Sequence, residues 1–293
     1  MMNNKNLVIF MPFIGGGGVE KNLYLIANHF SKKFNKVKIC TLSIDKKKQF
    51  NKKIKFISPY KNIYNNINIR LKYLVCLFLL LKFLIKNKNS LVFAFQANIY
   101  CILLCKFLNV KIIVRSNSSP SGWYHNFFKK IIYKFIISKA DKVIVNSKEF
   151  KTQMETKFKI KVNCIFNPLN SIEIIKKSKK GKADFFFKNN KYIKLVNLGR
   201  LTDQKDQITI LKALNILKKS LNVRLLILGR GIEKKRLNSY INKNHLNKYV
   251  KIRDFIDNPF KIIKQSDIFI LSSKYEGLPN VLLEAACLKK FII

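Results

Sequence analysis

Lys194-Leu-Val-Asn-Leu-Gly-Arg-Leu-Thr-Asp-Gln-Lys-Asp-Gln-Ile-Thr-Ile-Leu-Lys-Ala-Leu-Asn-Ile-Leu-Lys-Lys-Ser220 is the stretch from which the fold is read. Its first four residues, with Leu195 and Val196 at their centre, suit a strand over 194–197. Gly199 frees the strand end. From Asp206 onward Ile208, Leu211, Leu214 and Leu217 recur at helical spacing, with Lys212, Lys218 and Lys219 outside the stripe, which predicts a helix over 206–220. A strand, a glycine turn and an amphipathic helix in that order make one unit of a parallel α/β sheet.

The same alternation continues in both directions. Downstream it predicts strands over 224–228, 250–253 and 268–271 and helices over 232–242, 259–265 and 280–288. The chain stops at Phe291-Ile292-Ile293, where another strand begins, so the second domain is expected to be incomplete at its C-terminus. Upstream, strands are expected over 7–10, 37–41, 91–95, 111–115, 142–146 and 161–165. Helices are expected over 18–33, 70–86, 98–108, 126–137 and 147–158. The rhythm breaks at Phe166-Asn167-Pro168-Leu169-Asn170, where Pro168 disfavours helix for the residue before it, and a polar, Lys-rich stretch follows. This divides the chain into a domain over 1–168, a linker and lead-in over 169–191, and a second domain over 192–293. Two doubly wound, Rossmann-like α/β domains facing a cleft are the expected architecture.

Composition bounds the function. The chain has 293 residues and 48% hydrophobic content, enough for two cores. Its 58 basic and 15 acidic residues give a formal charge of +43, and before Asp141 the only acids are Glu20 and Asp45. Such a field attracts anionic membranes, nucleic acid or phosphorylated substrates, or it is a solvated surface in a Lys-rich chain. The six cysteines form no C-x-x-C pair and no cluster with His at zinc spacing, so they read as reduced core residues of a cytoplasmic protein and no metal is expected. The apolar run from Leu7 is short and interrupted by Pro12, unlike a secretory signal. Tyr73–Leu81 is far shorter than the roughly 20 residues of a spanning helix.

Three segments can carry chemistry. Gly15-Gly16-Gly17-Gly18 follows a strand and opens a helix, either an anion-binding turn or a plain flexible one; it is neither a Walker motif nor a dinucleotide fingerprint. Arg200 and Lys205 follow the first strand of the second domain, and both can converge on one anion at the carboxyl edge of the sheet. In Tyr275-Glu276-Gly277-Leu278-Pro279-Asn280-Val281-Leu282-Leu283-Glu284-Ala285, Glu276 sits at a strand-to-helix turn and Pro279 suits a helix start. The backbone N–H groups there can hold a phosphate, and Glu284 can accept hydrogen bonds from sugar hydroxyls. For an arbitrary pair of glutamates, a loop cap and a solvated helix residue would be the simpler reading.

Taken together, G-R-L-x-x-x-K at Gly199–Lys205, E-x7-E at Glu276–Glu284, and Ser266-Asp267-Ile268-Phe269-Ile270-Leu271-Ser272-Ser273 resemble the nucleotide-sugar domain of GT-B glycosyltransferases of family 4. The glycine turn followed by Glu20, and Ala140-Asp141-Lys142-Val143-Ile144-Val145-Asn146-Ser147, resemble that family's acceptor domain. The resemblance implies a retaining glycosyltransferase that moves a hexose or N-acetylhexosamine from a nucleotide sugar, UDP first among them. Its acceptor would be a lipid-linked or polysaccharide glycan. It implies that Arg200 and Lys205 neutralise the donor diphosphate, with Gly277, Leu278 and Asn280 at the helix start, that Glu284 binds the ribose, and that Glu276 contacts the transferred sugar. Gly17 would let the acceptor-domain loop close on the donor. No cofactor or metal is implied. Where the family often has a histidine, this chain reads Arg115-Ser116-Asn117, so Arg115, Asn117 or His125 is expected to take that place on the acceptor side. The other readings are an inactive glycosyltransferase fragment and a basic nucleic-acid-binding protein; the latter has no zinc finger, RNP-like aromatic pattern or recognition helix to support it. The location implied is cytoplasmic, peripheral on the inner leaflet.

Overall fold

The computed structural model describes residues 6–59, 67–117, 127–181, 183–188 and 191–293. It divides into two compact units, Met1–Pro168 and Leu169–Ile293.

In the first unit the chain runs β1 (Asn6–Phe10), α1 (Gly18–Phe30), β2 (Lys36–Cys40), β3 (Lys55–Ile57), α2 (Ile69–Lys86), β4 (Ser90–Ala94) and α3 (Asn98–Phe107). It continues with β5 (Lys111–Ser116), α4 (Phe127–Ile137), β6 (Lys142–Val145), α5 (Lys148–Phe158) and β7 (Asn163–Cys164). The seven strands lie in the order β3-β2-β1-β4-β5-β6-β7, every pair parallel. Successive side chains of a strand point to opposite faces, so an apolar run such as β1 feeds two cores. Val8 and Phe10 join the core beneath α2, α3, α4 and α5, whereas Leu7 and Ile9 join the one beneath α1. The edge strand β3 was not expected. Only three residues long and beginning with exposed Lys55, it leaves too little alternation to read.

The second unit runs α6 (Ser171–Lys179), β8 (Ile193–Leu198), α7 (Gln207–Leu217), β9 (Val223–Leu228), α8 (Lys234–Lys243), β10 (Val250–Arg253) and α9 (Phe260–Gln265). β11 (Ile268–Phe269), α10 (Asn280–Cys287) and β12 (Phe291–Ile292) follow. Its sheet is parallel throughout, ordered β10-β9-β8-β11-β12. Val196 and Leu198 face the core under α6, α9 and α10; Leu195 faces the one under α7 and α8. The expected linker over 169–191 contains helix α6 instead. Asn170 caps it by accepting from the Glu173 N–H at 3.2 Å, and Ile174 is buried beneath α9 and α10. Among Ser and Lys its few isoleucines make no stripe, and its stability comes from the apolar surface its neighbours supply.

The topology places the site. From β8 the chain steps outward to β9 and β10, then returns to the other side of β8 with β11 and β12. The switch point therefore lies between the carboxyl ends of β8 and β11, the usual ligand position in an open parallel sheet. Among the described residues, no helix is long and apolar enough to cross a membrane.

Candidate functional site

Two loops built from the carboxyl ends of β8 and β11 meet at this switch point. Beyond β8, the Lys205 stem lies across Gly199: a Cβ there would stand 3.6 Å from Lys205 Cδ, in ordinary contact. Beyond β11 comes Glu276. The Lys205 Nζ and Glu276 Oε1 form a direct, largely buried ion pair. The loops are tied at several further points. Ser272 Oγ donates to the carbonyls of Lys205 and Asp206, each at 2.9 Å, and the Lys274 N–H donates to the Gln204 carbonyl at 2.9 Å. Gln204 Nε2 donates to the Tyr275 carbonyl at 3.0 Å, and Lys274 Nζ reaches Asp203 at 2.7 Å. That last contact holds the exposed Asp203 carboxyl below its ordinary range and lifts the Lys274 ammonium.

A third loop closes the floor. Gly229 and Gly231, after β9, lie so close to the first loop that a Cβ on Gly229 would stand 1.8 Å from the Gly199 carbonyl oxygen. One on Gly231 would stand 2.0 Å from that of Leu201. Side chains are excluded there by sterics alone. Gln207, buried at the start of α7, donates from Nε2 to the Arg200 carbonyl at 3.0 Å, fixing the backbone from which exposed Arg200 projects. Gly277, Leu278 and Asn280, half-buried, form the approach to α10, and Glu284 is buried at 3% exposure on that helix. A cation already held beside a carboxylate can be transferred to an incoming polyanion, leaving the carboxylate for hydroxyls. Sequence reasoning named Arg200, Lys205, Glu276 and Glu284 and quoted Ser272 only within a family-like run, but missed Gln207, Gly229 and Gly231. Only the Gly-Arg-Gly at a strand end was a usable signal among these.

In the first unit, Gly17 opens α1, and Glu20 folds back so that its Oε1 accepts from the Gly15 N–H at 3.3 Å. Arg115 does not present its guanidinium to an acceptor: it is 2% exposed. Its Nε donates to Asn117 Oδ1 at 3.1 Å, and one Nη donates to Asn167 Oδ1 at 2.8 Å and to the Ile165 carbonyl at 3.3 Å. With neutral acceptors around it, burial pulls the guanidinium below its ordinary value. Arg115 is therefore a clamp between the ends of β5 and β7, buried and hydrogen-bonded to three acceptors there. Asn117, its partner, is half-buried. Gln96, after β4, accepts from the Phe13 N–H at 3.3 Å and was not anticipated. His125 lies outside the described residues.

Comparison with known proteins follows the same division. Residues 16–171 match the family described as Glycosyltransferase Family 4, and residues 179–293 match Glycosyl transferases group 1. An uncharacterized glycosyltransferase of Methanocaldococcus jannaschii is 34% identical over 63% of this chain, which spans 48% of that protein. N-acetylgalactosamine-N,N'-diacetylbacillosaminyl-diphospho-undecaprenol 4-alpha-N-acetylgalactosaminyltransferase of Campylobacter jejuni is 29% identical over 97% of this chain and 79% of its own length. Among solved structures, HepE of Anabaena in complex with UDP and glucose superposes with a TM-score of 0.76. That match covers 99% of this chain and 80% of HepE at 14% identity, a likeness of fold.

Proposed function

The chain belongs to glycosyltransferase family 4, and on that premise we propose that it moves a hexose or N-acetylhexosamine from a nucleotide sugar, a UDP-sugar first, to a lipid-linked or polysaccharide acceptor. The product would be a cell-surface glycan. One observation carries the donor half: the Lys205–Glu276 pair spans the two loops at the β8/β11 switch point. In this reading the donor diphosphate takes Lys205 from Glu276, with Arg200 and the N–H groups at the start of α10 beside it. Glu284 accepts from the ribose hydroxyls and Glu276 from the transferred sugar. The C1–O bond to the diphosphate breaks with its electron pair leaving on the phosphate. The acceptor oxygen bonds C1 from the same face and passes its proton to the departing phosphate oxygen, so configuration is retained. Preorganised positive charge at the leaving group supplies the rate, and no metal or other cofactor is needed. Gly17 lets the first domain's loop close on the donor, and Asn117 and His125 are the acceptor-side positions. The diphospho-undecaprenol acceptor in the Campylobacter relative's name and the UDP bound to HepE support these choices. The proposed location is cytoplasmic, peripheral on the inner leaflet.

The test is a panel of sugar nucleotides scored by thermal shift and transfer, on wild type and Lys205→Ala. A uridine nucleotide should stabilise wild type and not the variant. No nucleotide shift, together with oligonucleotide binding of steep salt dependence, would overturn the reading in favour of a nucleic-acid-binding protein.

A further inference from the structure

We propose that Glu20 is a positioning residue for transfer: its carboxylate sets the shape of the glycine turn after β1, and Gly17 is glycine to make room for it. This deepens the proposed function, in which that turn closes on the donor, and rests on it. Glycine loses more conformational freedom on ordering than any other residue, and residues 15–18 are four glycines in a row. Order in such a run has to come from its surroundings. Three successive N–H groups leading into it are each accepted by a side chain from a different part of the sheet edge. The Phe13 N–H donates to Gln96 Oε1 beyond β4 at 3.3 Å, and the Ile14 N–H donates to Ser43 Oγ beyond β2 at 3.0 Å. The Gly15 N–H donates to Glu20 Oε1 on α1 at 3.3 Å. The first two hold the strand end to the sheet; the third folds the run back onto the helix it opens.

The surroundings of Gly17 show which residue depends on which. Its backbone is extended, φ −96° and ψ −169°, a conformation open to every residue, so the backbone does not call for glycine. Space does. A Cβ on Gly17 would stand 2.9 Å from Glu20 Oε2 and 3.8 Å from Glu20 Cδ, and among the described residues it would meet nothing else within 4 Å. A Cβ on Gly15 would stand 3.3 Å from Glu20 Oε1. One carboxylate thus bridges the turn, one oxygen at the Gly15 amide and the other where a side chain on Gly17 would begin. A glutamate at the third position of a helix ordinarily reaches back to the N–H of the cap residue. Glu20 passes the cap, Gly17, and reaches Gly15, which capping α1 does not require. Because the carboxylate ends a flexible side chain, Gly17→Ala displaces it at little cost to the fold and releases the turn. A turn ordered before the donor arrives loses less entropy when it closes, which is where Glu20 acts on the rate.

The experiment is a double-mutant cycle on the full chain, Glu20→Ala, Gly17→Ala and both together, with Glu20→Gln as the conservative variant. Amide hydrogen exchange over residues 15–20 reads the turn. Steady-state release of UDP from UDP-glucose, UDP-galactose and the two UDP-N-acetylhexosamines reads the reaction. Exchange should rise at least about tenfold in both single Ala variants and stay near wild type in Glu20→Gln, which keeps an acceptor oxygen for Gly15. The kcat should fall about tenfold in each single Ala variant and no further in the double one, because both act through the same carboxylate. Glu20→Gln should keep at least about half of kcat, and the thermal shift given by UDP, which reads the second unit, should stay at its wild-type value in all four. Losses that multiply in the double variant would return Gly17 to a direct role at the donor and overturn the proposal. Wild-type kcat in Glu20→Ala, or a Glu20→Gln variant as slow as Glu20→Ala, would also overturn it. Wild type that releases no UDP sinks the transfer reading and the positioning role with it, whereas an active wild type with unaffected variants sinks the positioning role alone.

Discussion

At the scale of single residues, the Lys205–Glu276 pair makes the sharpest distinction. Both side chains are largely buried, so truncating either one strands a charge. Lys205→Ala should lose nucleotide stabilisation and transfer together. Glu276→Ala frees the ammonium, so it should bind UDP at least as tightly as wild type while transfer falls about 100-fold, read by calorimetry and by product formation. Arg115 behaves differently. Arg115→Ala takes the donor from partly buried acceptors on Asn117, Asn167 and Ile165 and should cost about 2 kcal/mol in urea unfolding. Arg115→Lys should not restore it, because one ammonium cannot reproduce donors placed on both Nε and Nη. Gly229→Ala forces the β9 and β8 loops apart and should cost at least about 3 kcal/mol, the range of severe core disruption. A thermal transition unchanged by that substitution would refute the close approach.

Among the elements, two stretches noticed for their resemblance turn out to do the same work. Asp141, just before β6, accepts from the Ile112 N–H at 2.8 Å and donates its own N–H to the Ile112 carbonyl at 3.0 Å. Asp267, just before β11, does the same with Lys194, at 2.8 Å and 2.9 Å. Each aspartate locks the register of a strand beside its neighbour and so sets where the following loop leaves the sheet. Burial by itself pushes the Asp141 carboxyl up, but hydrogen bonds from Lys106 and the Ile112 N–H together hold it below its ordinary value. A depressed carboxyl stabilises the fold above its unfolded pKa, and that contribution disappears as pH falls through the folded value. Asp141→Asn keeps an acceptor for Ile112 and loses the charge. Because the side chain is about one-third exposed, the deficit at neutral pH should be only about 1 kcal/mol, and in a pH series of urea melts it should vanish as pH falls through the depressed carboxyl value.

For the molecule as a whole, charge dominates. With +43 formal charges the folded chain repels itself, so added salt should stabilise it by screening. Raising ionic strength from about 0.05 M to 0.5 M shortens the screening length severalfold and should raise the melting temperature in calorimetry. A melting temperature that stays flat or falls with salt would show that the lysines are already well dispersed. Each unit has its own pair of apolar cores, so two transitions are expected, and a uridine nucleotide should raise the one belonging to residues 169–293.

Strand and helix order, and the gathering of Arg200, Lys205, Glu276 and Glu284 at strand ends and on the last helix, were legible in the amino-acid order because each rests on local pattern. Short apolar runs are strands, 3.6-residue stripes are helices, and glycines and scarce acids stand out at strand ends. β3 and α6 were not legible, because their stability comes from neighbours distant in the chain. Nor was it legible that Lys205 and Glu276, 71 residues apart, hold each other. That contact exists because β11 returns beside β8 instead of extending past β10, and strand order is a property of the sheet. Arg115 shows the converse: the resemblance offered it as an acceptor-side residue, and only packing revealed a buried guanidinium tied to the ends of two strands. Local pattern sets what each segment can become. Which side chains meet, and which stay available to a ligand, depends on burial and topology, which act between residues far apart in the chain.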